Sequence, residues 1–98
     1  MPQVFRDVDP RELRFPSSRK NADPYKLQRQ IVKYGSSLSG MPTLVVYEAA
    51  DGALVIYDGV TRATRAAMLA KGSSVPVVIV GQLRGSYAHE LKIGDRVP

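Results

Sequence analysis

Two arginines sit where a strand-like run gives way to a helix-like one, in Asp58-Gly59-Val60-Thr61-Arg62-Ala63-Thr64-Arg65-Ala66-Ala67. The glycine marks a turn, the alanines favour a helix, and Arg62 and Arg65 fall close to that helix's start. The peptide dipole already makes this end positive, so each cation there costs about 0.3–1 kcal/mol unless an anion offsets it. Two sources of negative charge fit. A bound phosphate or carboxylate would meet free backbone N–H groups and the dipole together. Gly59 would then allow close backbone approach, Thr61 would donate through its hydroxyl and N–H, and Arg62 and Arg65 would neutralise charge. The alternative is Asp58, four residues before Arg62, as a surface partner worth about 0.2–0.5 kcal/mol.

Other chemistry has fewer residues to draw on. There is no cysteine, which removes disulfides, thiolate nucleophiles, zinc-thiolate sites and iron–sulfur clusters together. A metal-dependent nuclease needs grouped oxygen ligands to hold Mg²⁺ and orient water. Only Glu48, Asp51 and Asp58 lie near the turn, and Asp51 reads as a hairpin residue, so no metal site is assigned. His89 is the sole histidine and reads as a surface or packing residue. The serines of residues 36–39 have no histidine or lysine at a spacing that would activate them.

The net charge of +5 is uneven: residues 1–35 hold eight Lys/Arg against four Asp/Glu, and residues 36–98 hold six against five. A basic first third favours polyanions such as nucleotides or nucleic acids. The five tyrosines and two phenylalanines are scattered rather than interleaved along a strand as a stacking platform. No window approaches the run of about 18 apolar residues that a membrane span needs. The sequence therefore reads as a soluble, cytoplasmic protein with no membrane partner, its oligomeric state open.

Several elements must position these residues. Residues 1–22 read as a short strand near Gln3–Val8 and an extended arm that Leu13 and Phe15 anchor. Asp23-Pro24 opens a helix as N-cap and first residue, and Gly35 stops it. Leu27, Ile31 and Tyr34 share one face of that helix, while Lys26, Arg29 and Lys33 form a basic stripe on another. Residues 35–42 are a glycine- and serine-rich loop of a kind able to close over a small ligand. Thr43–Glu48 and Ala53–Tyr57 form a hairpin turning at Asp51-Gly52. A second helix over Thr61–Ala70 ends near Gly72, and Val75–Val80 is an apolar strand buried on both faces. Residues 81–98 form a C-terminal extension with one short strand around His89–Ile93. The expected fold is a single α+β domain: a small mixed sheet with a central β-hairpin and two packed helices.

This order, with its motifs, resembles the ParB/sulfiredoxin superfamily over residues 23–80. The residues carrying the likeness are Asp23-Pro24-Tyr25-Lys26-Leu27-Gln28, Met41-Pro42, the turn Gly59-Val60-Thr61-Arg62, Ala66-Ala67 with Leu69, and Val75-Pro76-Val77. In sulfiredoxins a Gly-Cys-His-Arg turn cradles ATP phosphates and its cysteine does the chemistry. Val60 and Thr61 stand at the cysteine and histidine positions here, so the resemblance excludes sulfinic-acid reduction. In ParB-type proteins a Gly-Glu-Arg-Arg-x-Arg pattern binds a nucleoside triphosphate, and it also marks ParB-like nuclease domains. This chain keeps Gly59 and Arg62, while Arg65 falls one residue later than the pattern places it. The resemblance implies a phosphate site with Lys26 facing it from the first helix and a nucleoside triphosphate, with or without Mg²⁺, as ligand; Asp58 and the stripe residues Arg29 and Lys33 are candidate supporting residues. It is similar more loosely to ParB-like modules at the ends of larger bacterial proteins.

Three functions follow as expectations: a module binding a phosphate-bearing ligand, a ParB-like nuclease acting on DNA or RNA, and a non-catalytic interaction domain in which Arg62 pairs with Asp58.

Overall fold

The computed structural model describes residues 3–19 and 21–97. Its regular elements are β1 (Val4–Val8), α1 (Pro24–Tyr34), β2 (Leu44–Ala49), β3 (Leu54–Asp58), α2 (Val60–Leu69) and β4 (Val75–Leu83), with short 3-10 turns at Pro10–Glu12 and Ile93–Arg96. The fold is α+β, a four-stranded sheet in the order β1-β4-β2-β3. β4 pairs antiparallel with β1 and parallel with β2, and β2 pairs antiparallel with β3, so the sheet is mixed. The unbroken apolar run Val75–Val80 therefore becomes a central strand, as a run without polar alternation should.

The helices form where local chemistry asks for them. Asp23 caps α1 by accepting from the Tyr25 and Lys26 amides at 2.9 and 3.2 Å. Gly35, at φ +57°, ends the helix. At the hairpin, Asp51 accepts from the Ala53 amide at 3.2 Å. The same carboxylate holds the Ser86 hydroxyl at 2.7 Å and the Tyr87 and Ala88 amides at 3.0 and 2.7 Å. These bonds, with that of Ser86 foremost, hold its carboxyl well below the usual carboxylate range.

The buried cluster joins Leu44, Val46, Ile56, Val77 and Ile79 of the sheet to Val60, Ala63, Ala66 and Ala67 of α2. Leu13, Phe15 and Ile93 belong to the same cluster, so the segments flanking residues 23–80 contribute to the one core. The arm runs beside β3: the Arg14 amide donates to Leu54 O at 2.8 Å, and the Ile56 amide donates to Arg14 O at 3.0 Å. On its other side the Phe15 amide reaches Leu91 O and the Ile93 amide reaches Leu13 O, both at 2.8 Å. The strand expected around His89–Ile93 reduces to a single bridge between Arg14 and Lys92. Asp95 accepts from the Lys92 amide at 2.8 Å and draws the chain into the 3-10 turn instead, since a local side-chain bond competes with ladder pairing.

Candidate anion site at the start of the second helix

The β3–α2 junction is tight, and Gly59 makes it so. Its φ is +117°, and a Cβ built there would lie 2.5 Å from Leu44 Cδ2 and 3.0 Å from Arg62 Nη2. Glycine is thus required by the packing of a core leucine under the turn, independently of any ligand. The first intrahelical bond of α2 runs from the Ala63 amide to Gly59 O at 2.8 Å. The amides of Val60, Thr61 and Arg62 precede it, and no side chain caps this end. They are the orphan donors and positive pole of a ten-residue helix.

These groups open onto a pocket of about 180 Å³. It is lined by Lys26 and Gln30 of α1, by residues 58–62 of the β3–α2 junction and by Arg19 of the arm. Three cations, Arg19, Lys26 and Arg62, meet one carboxylate, Asp58. Asp58 Oδ2 stands 3.4 Å from Arg62 Nη2, with the aspartate side chain 66% exposed and the arginine 20%. That distance is long for a charge-assisted hydrogen bond, which favours about 2.7–2.9 Å. Arg62 Nε is buried with no partner among the described residues.

The sequence grouped Lys26, Arg62 and Arg65 around one anion, and the structure separates them. Lys26 and Arg62 share the 180 Å³ pocket. Arg65 instead lines a neighbouring cavity of about 150 Å³, with Gln30, Tyr34, Met41 and Arg62. At 2% exposure Arg65 is among the most buried side chains. Its Nη1 donates to Gly35 O and Ser37 O, both at 2.8 Å, and its Nη2 lies 3.6 Å from Met41 Sδ. Its guanidinium also sits 5.3 Å from the Tyr34 ring centroid. Burial pushes the guanidinium down from its ordinary value. The compensating charge is the carbonyl-rich C-terminus of α1, where a cation is favourable. Arg65 thus anchors the 35–42 loop.

The remaining expected residues are distributed as follows. Thr61 is half-buried on the pocket wall. Thr64 is buried, its hydroxyl donating to Val60 O at 2.7 Å inside the helix, which removes it from any ligand. Arg29 and Lys33 lie outside the pocket, in a groove along α1 shared with Lys26, Gln30 and Tyr34. Glu48 pairs with Arg6 at 3.6 Å, and Asp51 holds the loop described above. Among the described residues no three His, Asp or Glu side chains gather as a metal-binding group, and no helix is long and apolar enough to cross a membrane.

Two residues of the site escaped the sequence reading, Gln30 and Arg19. Gln30 borders both cavities, and its Oε1 is buried without a partner among the described residues. Its place four residues after Lys26, on the same helix face, was a usable signal. Arg19 belongs to an arm whose path no local pattern specifies.

No family model, no curated protein and no solved structure matches this chain.

Proposed function

We propose that this protein is a ParB/sulfiredoxin-like module that binds a phosphate-bearing ligand, a nucleotide or a nucleic acid, at the N-terminus of α2. The observation carrying this reading is the convergence of Arg19, Lys26 and Arg62 on a pocket that also contains the uncapped start of the helix. The backbone amides would take phosphate oxygens, Arg62 and Lys26 would neutralise their charge, and Thr61 would add a hydroxyl. Gly59 lets the turn pack against Leu44, and no side chain caps the helix start that follows it. The strand, helix, hairpin, helix, strand order and the Gly59-Val60-Thr61-Arg62 turn support the superfamily part of the reading.

The Asp58–Arg62 pair favours a second reading, an interaction domain in which Arg62 is neutralised internally. Titration with inorganic phosphate, ATP and CTP separates the two. Saturable shifts of the Gly59–Arg62 amides are expected, with about 10- to 100-fold weaker binding in Arg62→Ala, the loss of one charge-assisted hydrogen bond. Unmoved amides at millimolar ligand, in a folded protein, would leave the interaction domain as the better account.

A further inference from the structure

A helix that buries none of its residues is unusual in a small domain, and α1 is such a helix. Leu27 and Ile31 are only half-buried against the body. The opposite side is open and carries no acid: the helix reads Pro-Tyr-Lys-Leu-Gln-Arg-Gln-Ile-Val-Lys-Tyr. Its cations Lys26, Arg29 and Lys33 are all exposed. They step by three and four residues, which places them in one row extending about 10 Å along the axis. Among the described residues no carboxylate forms an ion pair with any of the three. Asp23 at the helix start is engaged by the Tyr25 and Lys26 amides, and its carboxylate also feels the charges of Lys26 and Arg29 without forming a salt bridge to either.

This row is continuous with the phosphate pocket. Lys26 and Gln30 border both the 180 Å³ pocket and the groove that passes Arg29 and Lys33 to Tyr34. One aromatic ring lines it: Tyr34 is 46% exposed, and Lys33 Nζ lies 5.3 Å from its ring centroid. The neighbouring helix supplies no parallel row, because Arg65 is buried and Arg62 belongs to the pocket.

Resting on the phosphate reading above, we infer that the ligand is a single-stranded nucleic acid whose backbone enters at the α2 N-terminus and follows α1 past Arg29 and Lys33. One track of unpaired cations matches one sugar–phosphate backbone, whereas a duplex presents two. An exposed ring such as Tyr34 beside a cationic groove is what an unpaired base can stack on, with little regard to sequence. An acidic peptide would satisfy the charges but leave the Tyr34 ring without a role.

The occupancy implied is about three phosphates, one in the pocket and one each at Arg29 and Lys33. For a single strand the logarithm of affinity falls with that of salt at about −0.7 per phosphate, a slope here of about −2. Binding of a fluorescent twelve-residue oligothymidylate should therefore weaken about 20-fold between 50 and 200 mM salt. In the Arg29→Ala/Lys33→Ala double variant the slope should fall to about −0.7 and the loss to about threefold. Inorganic phosphate should still shift the Gly59–Arg62 amides of that variant as it does in the parent, and thermal unfolding should be unchanged.

An unchanged slope in the double variant, or an oligonucleotide binding no better than inorganic phosphate, would overturn the inference while leaving the phosphate site standing. Silence of the amides toward phosphate as well would remove the underlying reading instead. Equal or tighter binding of a twelve-base-pair duplex would overturn the single-strand assignment. Equal competition by polyglutamate of the same charge would replace nucleic acid with an acidic protein.

Discussion

The carboxylate of Asp58 distinguishes a ligand site from a self-neutralised helix start, because removing it has opposite consequences in the two cases. It stands 3.4 Å from Arg62 Nη2, so a phosphate held on the open side of that guanidinium would lie about 6 Å from it. Two unit charges at about 6 Å in water repel by about 0.7 kcal/mol, and physiological salt reduces this to about 0.3 kcal/mol. A doubly charged phosphate feels about twice that, roughly 0.6 kcal/mol. Asp58 also competes for Arg62, and exposed helix pairs are worth about 0.3–0.5 kcal/mol. Together these predict that Asp58→Asn binds phosphate about five- to sixfold more tightly than the parent. The same change should lower folding stability by no more than about 0.5 kcal/mol. Calorimetric titration with inorganic phosphate at low and high salt, beside a urea melt, measures both. The gain should shrink as salt rises. Unchanged or weaker phosphate binding in a folded Asp58→Asn protein would refute the placement of the anion beside this carboxylate.

Three further perturbations test the scaffold around the site. Gly59→Ala combines a positive φ with a Cβ only 2.5 Å from Leu44 Cδ2. It should cost about 2–4 kcal/mol and lower Tm by at least about 10 °C in a thermal melt, with part of the loss recovered by trimming Leu44. Arg65→Met removes the donors to Gly35 O and Ser37 O and should destabilise by about 1–3 kcal/mol, with hydrogen exchange accelerating first at residues 35–41. Asp51 has its folded carboxyl held below its ordinary value of 3.8. Its stabilising effect is therefore complete above that value and lost as pH falls through and below it. Denaturant midpoints should drop below about pH 4 in the parent, and Asp51→Asn should be less stable at neutral pH with a shallower acid decline.

Much of the fold was legible because its signals are local. Asp23-Pro24 and Gly35 bound α1, Asp51-Gly52 reverses the hairpin, and the apolar run of β4 needed two neighbours. What escaped depends on distant partners. Val4-Phe5-Arg6-Asp7-Val8 carries charges and little alternation, and nothing in it announces pairing with β4. The arm's place between β3 and residues 91–93 is likewise a matter of tertiary docking.

For the site, Gly59, Thr61 and Arg62 were readable from turn and dipole arguments and Lys26 from the family resemblance, and all four line one pocket. Arg65 was misplaced for a physical reason. Three residues beyond Arg62 on a helix it shares roughly the same face, but one turn deeper it meets the C-terminus of α1 rather than solvent. Arginines are seldom fully buried, so sequence alone favours an exposed role for it.

The arm lodged against the tail also bears on how the polypeptide acquires its shape. Arg14 Nη1 donates to Glu90 O across 76 positions of sequence at 2.9 Å, and the backbone bonds beside it span a similar stretch. Contacts of such separation make folding slow and delay its completion. On the ribosome, the arm could meet β3 early, whereas β1 would wait for β4 and the arm's other side for residues 91–93.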